Sequence, residues 1–292
     1  MNIAVTAATG QLGQLVIKAL LDGGIAPSNL IAIVRNPDKA APLVAQGITV
    51  RQADYDQPTA LAAALTGVDR ILLISGVDLN RAQQHRNVVE AARAAGVGLL
   101  AYTSVVNADT SKLMLAADHK TTEDIIRNSG VPFALLRNSW YIENYTSNLP
   151  QTLESGVIWG SAGGGRVSAA TRADYAAAAA AVLSGEGHAN RVYELGGEGF
   201  TMSELAGEIS KQSGTEVVYQ NLPIEEYTKV LVGAGLPEPY AVVLADADRA
   251  ISEGELFTHN GDLSRLMGRP VTPLAEAVAV ALGNLPQARA VR

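Results

Sequence analysis

Cysteine is absent from this chain of 292 residues. Its absence excludes disulfides, thiolate nucleophiles and cysteine-ligated zinc, and it is the usage expected of a reducing, cytoplasmic compartment. Aromatic residues are sparse at 5%, and charged residues make up only 17% of the chain. No run of Lys and Arg occurs and the net charge is −7, which argues against a nucleic-acid surface. Apolar runs stay short. Even Ala176 to Leu183 falls far below the roughly 20 residues that a membrane helix needs. The chain opens on a strand pattern instead of a basic stretch followed by a signal core. No nucleic acid and no membrane are therefore expected as partners.

What is present starts at once. Ile3-Ala4-Val5 reads as a buried strand, and Thr6 to Gly13 as a turn of small residues. From Leu12 the apolar residues Val16, Ile17, Leu20 and Leu21 recur at helical spacing. Strand, glycine turn and helix is the unit that grips a dinucleotide. The pyrophosphate rests on the unpaired N–H groups of the helix start, where glycine lets the backbone come close. Thr9, Gly10, Gln11, Leu12 and Gly13 are the candidate residues here. The next strand, Leu30 to Val34, ends in Arg35. That position faces the adenosine ribose, where Asp or Glu selects NAD and Arg accommodates a 2′-phosphate. Arg35, with Lys39 as a second charge, predicts NADP(H).

Short apolar strands then alternate with helical patterns: strands near 48–51, 71–74, 99–102 and 133–136, and helices near 37–45, 58–65, 81–95 and 116–128. Gly47, Gly67, Gly96 and Gly130 each follow a helix, where a C-terminal glycine belongs. This alternation predicts an α/β fold: a doubly wound parallel Rossmann sheet of six or more strands. After Asn138 the regularity breaks, and a smaller α+β C-terminal substrate lobe is expected. The division is 1–138 for the NADP(H)-binding part, with returning segments from the second half, and 139–292 for the lobe. The alanine-rich stretch 176–181 reads as a helix packed tightly on a neighbour.

Ligands of such sheets lie beyond the carboxyl ends of the strands. The residues collected there are Asp54 and Tyr55, Ser75 and Gly76, Thr103, and the stretch Asn138, Ser139, Trp140, Tyr141, Ile142 and Glu143, with Arg172 at a later helix start. Asn138 and Tyr141 are candidates for contact with the reacting groups. The Tyr-x-x-x-Lys pair that protonates alcohols or ketones is missing: the residue four before Lys120 is Ala116. Chemistry that needs only hydride transfer to a strong electrophile remains. His119 stands at the edge of the expected pocket, as a structural side chain or a catalytic one. His119 and Glu123 share one helical face at a spacing that two metal ligands can use. The other histidines are scattered along the sequence, so no metal is expected.

Thr9-Gly10-Gln11-Leu12-Gly13, Ile33-Val34-Arg35-Asn36-Pro37, Gln52-Ala53-Asp54-Tyr55 and Leu136-Arg137-Asn138-Ser139-Trp140-Tyr141 together resemble the NmrA-like atypical short-chain dehydrogenase/reductases. The chain is most similar among them to the bacterial type 2 NADPH:quinone oxidoreductases. Ala170 to Ala176 and Tyr219 to Leu222 carry the likeness through the second half, and triphenylmethane dye reductases share much of it. The resemblance implies NADPH along the first lobe and a quinone in the cleft. Gly10 to Gly13 would lie on the pyrophosphate, Arg35 on the 2′-phosphate, and Asn138 to Glu143 beside nicotinamide and quinone. His119 falls where many relatives carry the family Lys. The family usually has Gly at the position of Ala7. The methyl should matter little if the local φ is negative and weaken NADPH binding if φ is positive; a modest effect is expected. The function expected is two-electron reduction of a quinone by NADPH. A non-catalytic NADP(H) sensor and a dye reductase are the alternatives, and a homodimer is an allowed assembly.

Overall fold

The computed structural model describes residues 1–78 and 80–285. The last residues of the expected second lobe, 286–292, lie outside them. The first half runs β1 (Ile3–Val5), α1 (Gln11–Asp22), β2 (Leu30–Val34), α2 (Ala41–Ala45), β3 (Thr49–Gln52), α3 (Pro58–Ala64), β4 (Arg70–Leu73), α4 (Arg81–Ala94), β5 (Leu99–Val105), α5 (Met114–Asn128) and β6 (Phe133–Asn138). The second half runs α6 (Glu143–Thr146), α7 (Leu149–Ser155), β7 (Val157–Gly160), α8 (Arg172–Ser184), β8 (Arg191–Leu195), α9 (Met202–Ser213), β9 (Val218–Asn221), α10 (Ile224–Gly233), α11 (Glu238–Ser252), α12 (Asp262–Met267) and α13 (Leu274–Gly283).

Seven strands form one parallel sheet in the order β3-β2-β1-β4-β5-β6-β8. The strand order reverses between β1 and β4, and a crevice opens at their carboxyl ends. The inner strands are continuously apolar because both faces are covered. Leu30, Ala32 and Val34 of β2 point into one core, and Ile31 and Ile33 into another. Helices α1 and α8 pack together on the first face, while α3, α4 and α5 line the second. The alanine-rich stretch lies in α8, whose small side chains admit the backbone of α1. Gly47, Gly67, Gly96 and Gly130 end their helices at φ of +82°, +71°, +69° and +79°.

The second half is divided by packing. Strand β8 completes the large sheet beside β6, and α8 and α12 join the first core. The two-stranded parallel pair β7–β9 and the helices α9, α11 and α13 build a separate core around Val167, Leu205, Ile251 and Val278. Among the described residues, no helix is long and apolar enough to cross a membrane.

Candidate active site

The turn between β1 and α1 is tight. The Gly10 N–H donates to the Ala7 carbonyl at 2.8 Å, and α1 starts at the next residue. Gly13 sits against this turn: a Cβ there would lie 2.4 Å from the Ala7 oxygen and 2.8 Å from the Ala8 Cα. Gly13 therefore lets α1 lie close on the strand end. Gln11 is exposed as the first residue of α1. Ala7 has φ of +47°, the left-handed region in which a Cβ is strained. Of the two conditions set by the sequence, the positive one holds. The methyl is exposed and faces the same cavity as Thr9 and Gly10.

That cavity, of about 380 Å³, runs from the turn along the ends of β2, β3 and β4. Arg35, Asn36 and Lys39 lie at one end, followed by Asp54, Tyr55, Ser75 and Gly76. No side chain of the described residues hydrogen-bonds the Arg35 guanidinium, which leaves its fork of donors open. Tyr55 is a wall more than a contact. Its hydroxyl bonds Thr6 Oγ1 at 2.5 Å and the Ile74 carbonyl at 3.0 Å, and burial pushes its pKa well up.

A second cavity of about 490 Å³ adjoins the first, and Ser75, Gly76 and Val77 border both. Its walls include Leu12, Ile74, Leu115, Trp140 and Val243, with Thr103, Ser104, His119, Asn138, Ser139, Tyr141 and Arg172 adding polar groups. The sequence-predicted residues Thr103, His119, Asn138, Ser139, Trp140, Tyr141 and Arg172 thus come together on one cleft. Ile142 and Glu143 do not. Ile142 is 2% exposed in the second core, because the chain turns into α6 there. Glu143 instead accepts the Arg172 N–H at 2.9 Å and caps the start of α8. Arg172 lies with its guanidinium carbon 4.8 Å from the centre of the Tyr141 ring.

Asn138 and His119 define the polar chemistry of the cleft. Asn138 Oδ1 is buried without a hydrogen-bond partner, while its Nδ2 donates to the Tyr141 hydroxyl at 3.5 Å. An unmet buried acceptor calls for a donor from a ligand. His119 Nδ1 lies 2.8 Å from the Tyr102 hydroxyl. Burial, with Arg81 and His85 nearby, pushes its pKa down to about 3, so the ring is neutral at physiological pH. Glu123 faces away from it. Its carboxylate receives Ser104 Oγ at 2.6 Å and a bidentate pair from Arg137 at 2.8 and 2.6 Å. The two residues of the metal spacing thus face different groups, His119 Nδ1 the Tyr102 hydroxyl and Glu123 the Arg137 guanidinium.

Two groups of lining residues were not singled out by the sequence. Pro239, Tyr240 and Val243 of α11 roof the cleft from a point one hundred residues beyond Asn138. Asp78 comes from the segment between β4 and α4, and Arg81 and Gln84 from the first turn of α4. A helix start directly after a strand end was the available signal for the second group; nothing local marks the first.

The comparisons with known proteins agree with this geometry. The NmrA-like family matches residues 1–279. The chain is 52% identical over 279 residues to quinone oxidoreductase 2 of Escherichia coli strain K12, covering 95% of this chain and 97% of that one. Its structure superposes on the crystal structure of the E. coli NADPH-dependent quinone oxidoreductase complexed with NADPH at a TM-score of 0.93, covering 96% and 99% of the two chains. It also superposes on Citrobacter sp. triphenylmethane reductase complexed with NADP(H), at a TM-score of 0.92 and 45% identity, covering 96% and 100%. Sequence and structure together place this chain in the NmrA-like family.

Proposed function

We propose that this protein is an NADPH:quinone oxidoreductase, with NADPH running from the first cavity past residues 75–77 into the second, and the quinone in the rest of the second. The carrying observation is the lining of the second cavity. Arg81 and Arg172 present guanidinium groups to it, while their paired carboxylates, Asp118 and Glu143, are not among its lining residues. An acceptor that gains negative charge as it is reduced fits such a wall. A quinone does so; a cationic dye becomes neutral instead. The 52% identity to the E. coli quinone oxidoreductase supports the same reading.

The residues present fit NADPH. The open donors of Arg35 and Lys39 suit the 2′-phosphate, and the unpaired N–H groups at the start of α1 suit the pyrophosphate. The orphan Asn138 Oδ1 suits the N–H of the nicotinamide carboxamide. Bound there, NADPH supplies a hydride. The chain contributes orientation: the apolar slot of Leu115, Trp140 and Val243 excludes water and presses a flat ring face against its donor. The quinone oxygen left negative takes its proton from solvent, so no acid with a tuned pKa is needed. Tyr102, Tyr141 and Tyr175 have pKa values raised by burial, which makes them poor acids. We also read residues 1–138, with β8, α8 and α12, as the cofactor-binding part, and the rest of 139–292 as the part that covers the substrate.

The test is the loss of NADPH absorbance on adding a simple benzoquinone, with NADH in parallel. Oxidation of NADPH in clear preference to NADH is expected. Tight NADPH binding without oxidation by any benzoquinone or naphthoquinone would replace this reading with the sensor.

A further inference from the structure

Beyond β4 the chain leaves the sheet and runs along the shared rim of both cavities. Among the described residues no strand pairs with it there. Three successive N–H groups are instead taken by side chains from three different elements. Ile74 donates to Thr6 Oγ1 at 3.0 Å, Ser75 to Thr103 Oγ1 at 2.8 Å, and Gly76 to His85 Nε2 at 3.0 Å. Thr6 follows β1, Thr103 lies in β5, and His85 lies in α4.

The tautomer of His85 follows from its partners. A backbone amide only donates, so Nε2 must present its lone pair. The hydrogen of the neutral ring is then on Nδ1, 2.9 Å from Thr122 Oγ1. Thr122 is free to accept it, because its own proton goes to the Asp118 carbonyl at 2.9 Å. The ring is wholly buried, with Tyr55 and Tyr102 edge-on at 6.3 and 5.4 Å. Arg81 of α4 and Asp118 of α5 are the charges that face it, and they pair with each other at 2.7 Å. His119 of α5 is its titratable neighbour. Burial and Arg81 push the His85 pKa down to about 4, so the lone pair is available throughout the physiological range. A core position would be filled as well by an apolar ring. Here a polar ring is directed at one amide of a segment that borders both cavities.

We propose that His85 is a positioning residue for NADPH: its Nε2 lone pair holds the Gly76 amide and so sets the path of residues 74–77 against the cofactor. The proposal rests on the first cavity being the NADPH seat. His85→Gln can place an amide oxygen near the site of Nε2, whereas His85→Asn can reach only the site of Nδ1. Steady-state NADPH KM and kcat with benzoquinone separate the two, alongside melting temperatures. H85Q should keep the NADPH KM within about threefold, and H85N should raise it about tenfold, the value of one lost hydrogen bond, with kcat little changed. Equal NADPH KM in H85Q and H85N overturns the role of His85. Arg35→Ala serves as the reference. An unchanged NADPH KM in R35A overturns the seat itself, and the proposal with it. Should H85N melt below the assay temperature, Thr122→Val carries the test, since it removes the acceptor that fixes the tautomer. A raised NADPH KM in T122V supports the proposal; an unchanged one overturns it.

Discussion

The Tyr102 hydroxyl, 0% exposed in β5, meets Nδ1 of His119 at 2.8 Å behind the wall of the cleft. With Tyr102 donating to Nδ1, the neutral ring carries its hydrogen on Nε2, and we propose that it donates this hydrogen bond to the substrate oxygen without acting as an acid. Tyr102→Phe should lower kcat/KM for benzoquinone about threefold to tenfold, in line with one lost hydrogen bond. NADPH KM should stay unchanged, and steady-state kinetics at saturating NADPH gives the answer.

We propose that Arg35 selects NADPH over NADH. Its guanidinium lines the first cavity without a bond from another side chain of the described residues. Arg35→Ala removes charge-assisted hydrogen bonds worth about 1.5–3 kcal/mol, so NADPH KM should rise by roughly ten- to a hundredfold. NADH KM should change little, because NADH lacks the 2′-phosphate. Parallel titrations of the two cofactors check this.

Ala7 carries a side chain in a glycine conformation, φ +47°. Ala7→Gly relieves strain of about 1–2 kcal/mol and returns part of it as chain entropy, for a net gain near 0.5–1 kcal/mol. The same change withdraws a methyl from the cavity wall. A higher melting temperature and a lower NADPH Kd are expected, measured by thermal denaturation and fluorescence titration. An unchanged Kd would mean that the methyl does not meet the cofactor.

The buried histidines make the fold acid-sensitive. His85 and His119 have pKa values pushed down to about 4 and about 3 by burial. Below about pH 6.5 the unfolded chain binds protons at these sites that the folded chain refuses, so stability falls as pH drops from 6.5 toward those values. At pH 5 each site costs about 2 kcal/mol relative to pH 8. Asp248 works in the opposite sense. Burial pushes its carboxyl up to about 6, so the folded state gains about 1 kcal/mol over the same interval. Urea unfolding at pH 7.5 and pH 5 should show a net loss, and His85→Gln should reduce that loss by about 2 kcal/mol. An identical pH dependence in the variant would contradict this account.

The Arg137 and Glu123 side chains are 4% and 1% exposed and joined in a bidentate pair, with Glu194 at 2.8 Å from Arg137 Nη1. Removing Arg137 leaves the buried Glu123 carboxylate only the Ser104 hydroxyl and the partly exposed Arg127 at 3.2 Å. Arg137→Ala should destabilise the fold by about 3–5 kcal/mol. Chemical denaturation against the parent protein is the measurement.

Local patterns in the sequence determined much of this protein. Each face of the inner strands meets a core, so unbroken apolar runs such as Leu30 to Val34 announced a covered parallel sheet. Helix ends needed positive φ, so Gly47, Gly67, Gly96 and Gly130 marked them. The residue leaving β2 lies at the carboxyl end of the sheet by topology alone, which made the place of Arg35 on the first cavity legible. Tertiary structure decided what depends on distant partners. Strand β8 runs from exposed Arg191 to buried Leu195, and its place beside β6 at the edge of the large sheet, away from β7 and β9, is set by the packing of distant segments. The roof from α11 reaches the cleft only after the second core has formed. Ile142 turns into that core because the chain bends directly after Tyr141. The sign of φ at Ala7 and the lone pair that His85 gives to Gly76 both follow from what packs around them, and no spacing of residue types encodes that.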